Sequence, residues 1–186
     1  MNGVAVAVGA GRGEPSPHHN AARPRVVTVY IGLGSNLQQP LQQIERALKA
    51  LSQLPQTRLK AVSNRYRSAP LGNMAQPDYL NAVAKLETLL EPQPLLQQLQ
   101  QLERQQGRQP SCERWQARTL DLDLLLYGNL EQQQPQLTLP HPGLTERPFV
   151  AIPLLELDPD LTLPNGVRLD HYPAAAKQSE LLLCQD

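Results

Sequence analysis

Arg118-Thr119-Leu120-Asp121-Leu122-Asp123-Leu124-Leu125-Leu126-Tyr127-Gly128 sets leucine and aspartate in strict alternation from Leu120 to Leu124. Period two is the repeat of a half-buried strand: Leu120, Leu122 and Leu124 face a core, while Asp121 and Asp123 share the other face. Side chains two apart on a strand stand roughly 6.5–7 Å apart. Aspartate is disfavoured in strands, so a pair in one strand calls for a reason. Arg114, Trp115 and Arg118 lie just upstream. Carboxylates attract magnesium, and magnesium together with arginine attracts phosphate. Two readings follow from these residues alone: a metal–nucleotide site, or a solvated strand face with stray acids.

Working outward, Pro92 to about Gln106 reads as a helix ended by Gly107, with Leu95, Leu96, Leu99 and Leu102 as its buried stripe. Residues 107–117 form a polar loop carrying Arg108, Pro110 and Arg114, suited to closing over a polyphosphate or to lying inert on the surface. Tyr79 to Glu87 alternates as a further strand, with Tyr79, Asn81 and Val83 on one face. The segment Leu59–Arg67 reads as a strand, and Ser68 to Asp78 as a loop rich in Pro, Gly and Asn. Near the start, Val26 to Ile31 is a β-branched strand. Gly32-Leu33-Gly34-Ser35-Asn36-Leu37 lacks the lysine and spacing of a phosphate loop. It reads as a turn into a helix capped by Ser35 or Asn36, its glycines letting backbone approach a ligand. Pro40 opens that helix, and Leu41, Ile44, Leu48 and Leu51 form its apolar face. Downstream come a polar turn at 131–136, a short strand at 137–139, the break Pro140-His141-Pro142-Gly143, and a helix from Leu144 to Leu157 interrupted near Pro153. Residues 158–186 read as coil or short strands.

The order strand, helix, strand, strand, helix, strand is a ferredoxin-like split βαβ plan. The expected fold is therefore α+β: a mostly antiparallel sheet with helices on both faces. Residues 1–25, rich in Gly, Ala, Pro and Arg, are expected to be a disordered extension, and 26–186 one domain. Seventeen basic against seventeen acidic residues give zero net charge, which argues against a nucleic-acid or membrane-surface binder. Apolar runs stay short of the ~18 residues that span a bilayer. Two cysteines without metal spacing suit a reducing compartment, the cytoplasm. One Phe and one Trp leave few candidates for an aromatic ligand pocket.

Four blocks stand in register: Tyr30–Leu37, Gln76–Val83, Arg114–Asp123 and Leu139–Phe149. Together they resemble the 6-hydroxymethyl-7,8-dihydropterin pyrophosphokinase family of folate biosynthesis, over roughly residues 26–160. The resemblance implies transfer of pyrophosphate from ATP to the pterin hydroxymethyl oxygen, leaving AMP. It implies that Asp121 and Asp123 hold two magnesium ions bridging the triphosphate, with Arg108 and Arg118 as further catalytic groups. It places the pterin between Tyr79 and Phe149, read by Asn81, with Ser68, Leu71 and Trp115 around it. ATP is expected to meet Leu96, Gln100, Glu103, Leu124, Thr138, His141 and Arg147, and the protein to act as a monomer. Departures from the family pattern are Pro110 and Ser111 where many relatives carry another basic residue, Gln136 where some carry arginine, and Gln116-Ala117 in place of Gly-Pro. These bear on loop closure more than on the reaction. A different magnesium nucleotidyltransferase is a third reading, and a non-catalytic ferredoxin-like module for nucleotide or RNA is the runner-up. The runner-up is disfavoured because RNA readers of this plan present aromatic and basic residues on the sheet, whereas the key strand here presents acids.

Overall fold

The chain's hydrophobic pattern resolves into one sheet with cores on both sides, seen in a computed structural model that describes residues 25–70, 75–108 and 116–184. The N-terminal extension, Leu71, and the loop containing Pro110, Ser111 and Trp115 lie outside the described residues. The elements are β1 (Val27–Ser35), α1 (Pro40–Leu51), β2 (Thr57–Val62), β3 (Tyr66–Ser68), β4 (Tyr79–Thr88), α2 (Pro92–Gln105), β5 (Asp121–Tyr127), β6 (Gln132–Gln134), β7 (Leu137–Leu139), α3 (Pro148–Leu157) and β8 (Leu182–Leu183). Strand order is β5-β1-β4-β3-β8, with β2 also on β4, and these pairings are antiparallel. That is the split βαβ arrangement expected from the element order. The polar segment after Glu131 is a hairpin of its own, β6 with β7.

Strand alternation sorts the side chains into two cores. On one face Val29, Ile31, Leu33, Leu122 and Leu124 meet Ile44, Ala47 and Leu51 of α1 and Leu95, Leu99 and Leu102 of α2. On the other face Tyr30, Val83, Leu125 and Leu126 meet Val150, Ala151 and Leu154 of α3. α3 is buried continuously from Val150 to Leu154 because Leu163, Leu169 and Ala174 of the following segment cover its back. That segment, expected as coil or short strands, forms 3-10 turns at Leu169–His171, Pro173–Ala176 and Gln178–Glu180 before the short strand β8 joins the β3 edge.

Two local expectations are corrected. The glycine segment is not a turn capped by Ser35 or Asn36: β1 runs on through Ser35, and Gln39, left-handed at φ 63, starts α1 without a side-chain cap. The reason is ladder pairing on both sides, Gly34 opposite Asn81 and Asp121, which outweighs the turn preference of Gly, Ser and Asn. The expected Leu59–Arg67 strand is broken between Val62 and Tyr66. There the Ser63 hydroxyl accepts from the Val83 N–H (2.9 Å), and the Asn64 N–H donates to the Glu156 carboxylate (2.9 and 3.1 Å). Side chains thus stand in for part of the ladder at the break, beside the backbone bond from the Ser63 N–H to the Val83 carbonyl (2.9 Å).

Leu99 is fully buried between α2 and the sheet, whereas its neighbour Leu96 is only partly so. Leu99→Ala is expected to destabilise by about 2–5 kcal/mol in urea denaturation, from lost transfer energy plus a cavity. Leu96→Ala should lose less than half as much, and equal losses would contradict this assignment of the α2 face.

Candidate active site

The register of three strands builds the site. Asp121 lies opposite Gly34, Gly34 opposite Asn81, and Asn81 opposite Tyr66; Asp123 lies opposite Gly32, and Gly32 opposite Val83. Directly opposed residues share a face, so both aspartates point to the α3 side of the sheet. A cavity of about 380 Å³ opens there. Its floor is the glycine stretch of β1, and its walls include Asp121, Asp123, Arg118, Tyr79, Asn81, Ser68, His141, Arg147 and Phe149. Glycine keeps the floor low: a Cβ on Gly34 would lie 3.6 Å from Asn81 Oδ1 and 3.8 Å from Asp121 Cβ and Tyr79 Cδ1.

One end of the cavity is charged. Asp121 Oδ1 accepts from Arg118 Nη1 at 2.5 Å and pairs with Arg108 Nη1 at 2.9 Å. Arg108 also pairs with Glu103, whose buried carboxylate accepts from the Leu122 N–H at 2.8 Å. Burial pushes the Glu103 carboxyl above its ordinary value, opposed by the Leu122 bond and Arg108. Burial likewise pushes Asp123 up to about 7, and the nearby Asp121 and Glu103 charges add to the shift. A cation would reverse that balance. His141 Nδ1 accepts from the Gly143 N–H (3.1 Å), so the neutral ring carries its proton on Nε2, 3.9 Å from Asp123 Oδ2. Burial and then Arg147 lower the His141 pKa, which keeps the ring neutral. The position of His141 follows from a bulge: the ladder passes from Tyr30↔Leu126 to Ile31↔Leu124, and the Leu125 carbonyl so released accepts from the His141 N–H at 2.9 Å.

The other end is aromatic and amide-like. Tyr79, from β4, and Phe149, from the first turn of α3, both line the cavity, and Tyr79 Oη donates to the Gln116 carbonyl at 3.1 Å. Asn81 Nδ2 donates to the Tyr66 carbonyl (3.2 Å) and to Ser68 Oγ (3.0 Å), which fixes the amide and leaves Oδ1 as an acceptor beside Gly34.

Of the residues singled out in the sequence, Ser68, Tyr79, Asn81, Arg118, Asp121, Asp123, His141, Arg147 and Phe149 come together on this one cavity, and Arg108 reaches it through Asp121. Leu96, Gln100, Glu103, Leu124 and Thr138 are not on its wall. Leu124 is sealed in the helix-side core, 2% exposed, so its side chain is not free to meet a nucleoside. Glu103 is buried beneath β5, Leu96 packs partly against the core, Gln100 is exposed on α2, and Thr138 is half-buried on β7. Sequence reasoning missed Asn36. Its side chain donates to Gln76 Oε1 and the Pro77 carbonyl and accepts from the Arg118 N–H at 2.7 Å, tying two site segments together. It also treated Gly32 and Gly34 as turn residues. The signal that places them is their period-two spacing from Tyr30, which puts all three on one strand face.

The aspartate pair fits magnesium by its chemistry. Among the described residues no group of three or more His, Cys, Asp or Glu side chains is arranged to hold a metal. Two hard carboxylates with room for phosphate and water match the way magnesium is carried on nucleotides.

Comparison with known proteins agrees with this geometry. Residues 30–159 match the family described as 7,8-dihydro-6-hydroxymethylpterin-pyrophosphokinase (HPPK). The 2-amino-4-hydroxy-6-hydroxymethyldihydropteridine pyrophosphokinase of Haemophilus influenzae is 54% identical over 141 residues, covering 76% of this chain and 88% of that protein. The Pseudomonas aeruginosa protein of the same name is 50% identical over 147 residues, covering 79% and 90%. Among solved structures, the HPPK-DHPS of Plasmodium falciparum superposes with a TM-score of 0.65 at 12% identity. That match covers 86% of this chain and 47% of the Plasmodium chain, and it speaks for the fold. With the family match spanning well over half its length and two such relatives, the chain belongs to the 7,8-dihydro-6-hydroxymethylpterin-pyrophosphokinase family.

Proposed function

We propose that this chain transfers pyrophosphate from ATP to the hydroxymethyl oxygen of 6-hydroxymethyl-7,8-dihydropterin, releasing AMP, with Asp121 and Asp123 holding two magnesium ions. The observation that carries the assignment is the shared cavity, charged at the Asp121–Asp123 end and aromatic at the Tyr79–Phe149 end. Transfer of a phosphoryl-type group depends on in-line positioning and charge neutralisation more than on a protein nucleophile. The pterin supplies the attacking hydroxyl, and its flat ring suits a slot between Tyr79 and Phe149. Asn81 Oδ1 then accepts from a ring N–H, because the amide nitrogen is already engaged by Tyr66 and Ser68. Magnesium, when bound with the triphosphate, supplies neutralisation of charge on the phosphates.

The chain's own cations complete the site. Arg118 and Arg108, now on Asp121, are placed to shift to phosphate oxygens once a metal takes the carboxylate. Neutral His141 presents Nε2–H beside Asp123, a donor for a phosphate oxygen. Arg147, over Gly143 at the mouth of α3, adds a fork of donors from the third side. Leu96, Gln100, Glu103 and Thr138 are assigned to the nucleotide side beyond the cavity, with Leu124 contributing backbone only. Among the described residues no helix is long and apolar enough to cross a membrane; a cytoplasmic monomer is the proposed setting.

Asp121→Ala or Asp123→Ala should lower the rate of AMP formation from ATP and the hydroxymethyl pterin by at least ~10²-fold, as for deletion of a group that stabilises developing charge. Wild-type turnover by either variant would refute the metal assignment. Phe149→Ala should weaken pterin binding while leaving ATP binding unchanged in equilibrium titration; the opposite pattern would discredit the slot. Gly34→Ala should fold normally, because a Cβ there meets only ordinary van der Waals contacts, yet weaken pterin binding by raising the cavity floor. Undiminished pterin affinity in that variant would show that the ring does not rest on β1.

A further inference from the structure

Phe149 is the chain's one phenylalanine, and its position depends on how α3 is held. On α3 the residues Phe149, Ile152 and Glu156 recur at i, i+3 and i+7, so they form a single stripe. That stripe faces β3. Tyr66 of β3 and Ile152 share a small buried cluster with Leu181, and Phe149 packs against that cluster. At the far end of the stripe Glu156 Oε2 accepts from Tyr66 Oη at 2.8 Å, while the same carboxylate takes the Asn64 N–H at the strand break. Tyr66 is 7% exposed, and burial, reinforced by the bond to Glu156, pushes its hydroxyl up to about 12. The hydroxyl therefore stays a donor across the working pH range. The carbonyl of this same Tyr66 accepts from Asn81 Nδ2.

One residue thus joins the strand that orients Asn81 to the helix that presents Phe149. We infer that Tyr66 and Glu156 form a buckle that positions α3 against β3 and so sets the width of the slot for the flat ring. Neither side chain lines the cavity, and both act through others, as positioning residues. The inference rests on the proposed placement of the pterin against Phe149. Most of the phosphate end is held by other elements: Asp121, Asp123 and Arg118 belong to β5 and its approach, tied to Asn36 and Glu103, and Arg147, at the α3 N-cap, is fixed by its own N–H bond to the Gly143 carbonyl (3.1 Å), at the opposite end of the helix from Glu156. Loosening the buckle should therefore disturb ring binding and spare nucleotide binding.

The test uses the whole chain with Tyr66→Phe, Glu156→Ala and the double variant. Glu156 is exposed and Tyr66→Phe keeps the ring, so each variant retains the core. Titration with 6-hydroxymethylpterin, in the presence of magnesium and α,β-methylene-ATP, reads pterin affinity by the ligand's own fluorescence. Titration with magnesium α,β-methylene-ATP alone reads nucleotide affinity. Tyr66→Phe, which loses one hydrogen bond to a charged acceptor, is expected to weaken pterin binding about fivefold or more, and Glu156→Ala, which also removes the acceptor of the Asn64 N–H, at least as much. Nucleotide binding should change by less than about twofold, and the double variant should be no weaker than Glu156→Ala, since coupled partners are not additive. A lowered melting temperature with unchanged pterin affinity, or equal loss of both ligands, would overturn the inference. Phe149→Ala measured alongside separates the two failures. If it leaves pterin affinity intact, the ring placement itself is wrong. If it weakens the pterin while both buckle variants do not, only the buckle is wrong.

Discussion

The site depends on one constraint: the register that sets Asp121, Gly34 and Asn81 side by side across β5, β1 and β4. Side-chain direction in a sheet has period two, so a slip of one residue would turn both aspartates into the helix-side core. The leucines prevent that slip. Leu120, Leu122 and Leu124 are almost fully buried under α2, and moving them to the cavity face would expose three large apolar side chains. The carboxylates thus point to the cavity because the hydrophobic partition of their neighbours leaves them no alternative. The buried Glu103 adds a polar pin, since its carboxylate receives the Leu122 N–H and ties α2 to β5.

Holding negative charge at the mouth of a core is unfavourable unless it is neutralised. Two arginines neutralise Asp121, while Asp123 responds by taking a higher pKa. Such an arrangement is poised rather than settled. A divalent cation offers more charge in less space than a guanidinium, and phosphate offers the arginines a better bidentate partner than a carboxylate already occupied by metal. Under the proposed reaction, nucleotide and metal arriving together would let Asp121 and the two arginines exchange partners without leaving a charge unpaired. This is why family membership and the ion-pair geometry point to the same chemistry, although they are independent observations.

The fold and the charged end were legible in the sequence because both follow from short-range patterns. Alternation in Leu120–Leu124 places the aspartates, and the stripes in α1 and α2 place the helices. The order of elements then leaves one plan. What local pattern did not reveal was decided by partners distant in sequence. Gly32 and Gly34 look like turn residues until β4 and β5 flank them. Asn36 looks like a cap until the 76–77 segment and Arg118 reach it. The segment after Pro159 looks like coil, yet Leu163, Leu169 and Ala174 roof α3. The resemblance assigns Leu124 and Glu103 to the nucleotide, whereas their burial follows from the packing of α2, which carries Glu103, against β5, which carries Leu124.

The two ends of the cavity are built from different parts of the chain, and that division has a mechanical consequence. The charged end is rooted in β5, the outer strand of the main sheet, held by its ladder to β1 and by the Glu103 carboxylate of α2 on the Leu122 N–H. The aromatic end relies on α3, which is not part of any strand ladder and is anchored by side chains: Glu156 to Tyr66 and Asn64, and Asp158 to Tyr30 and Lys85. Tyr30 donates to Asp158 at 2.8 Å from within the core, so that anchor is shielded from water on one side. Phosphoryl-type transfer tolerates little misplacement of the reacting atoms. Under the proposed placement, a ladder-held strand for the phosphates and a side-chain-anchored helix for the ring would put the demand for accuracy on the backbone-paired part of the site. Adjustment to the shape of the acceptor would then fall to the helix, whose side-chain anchors lie outside the strand ladders.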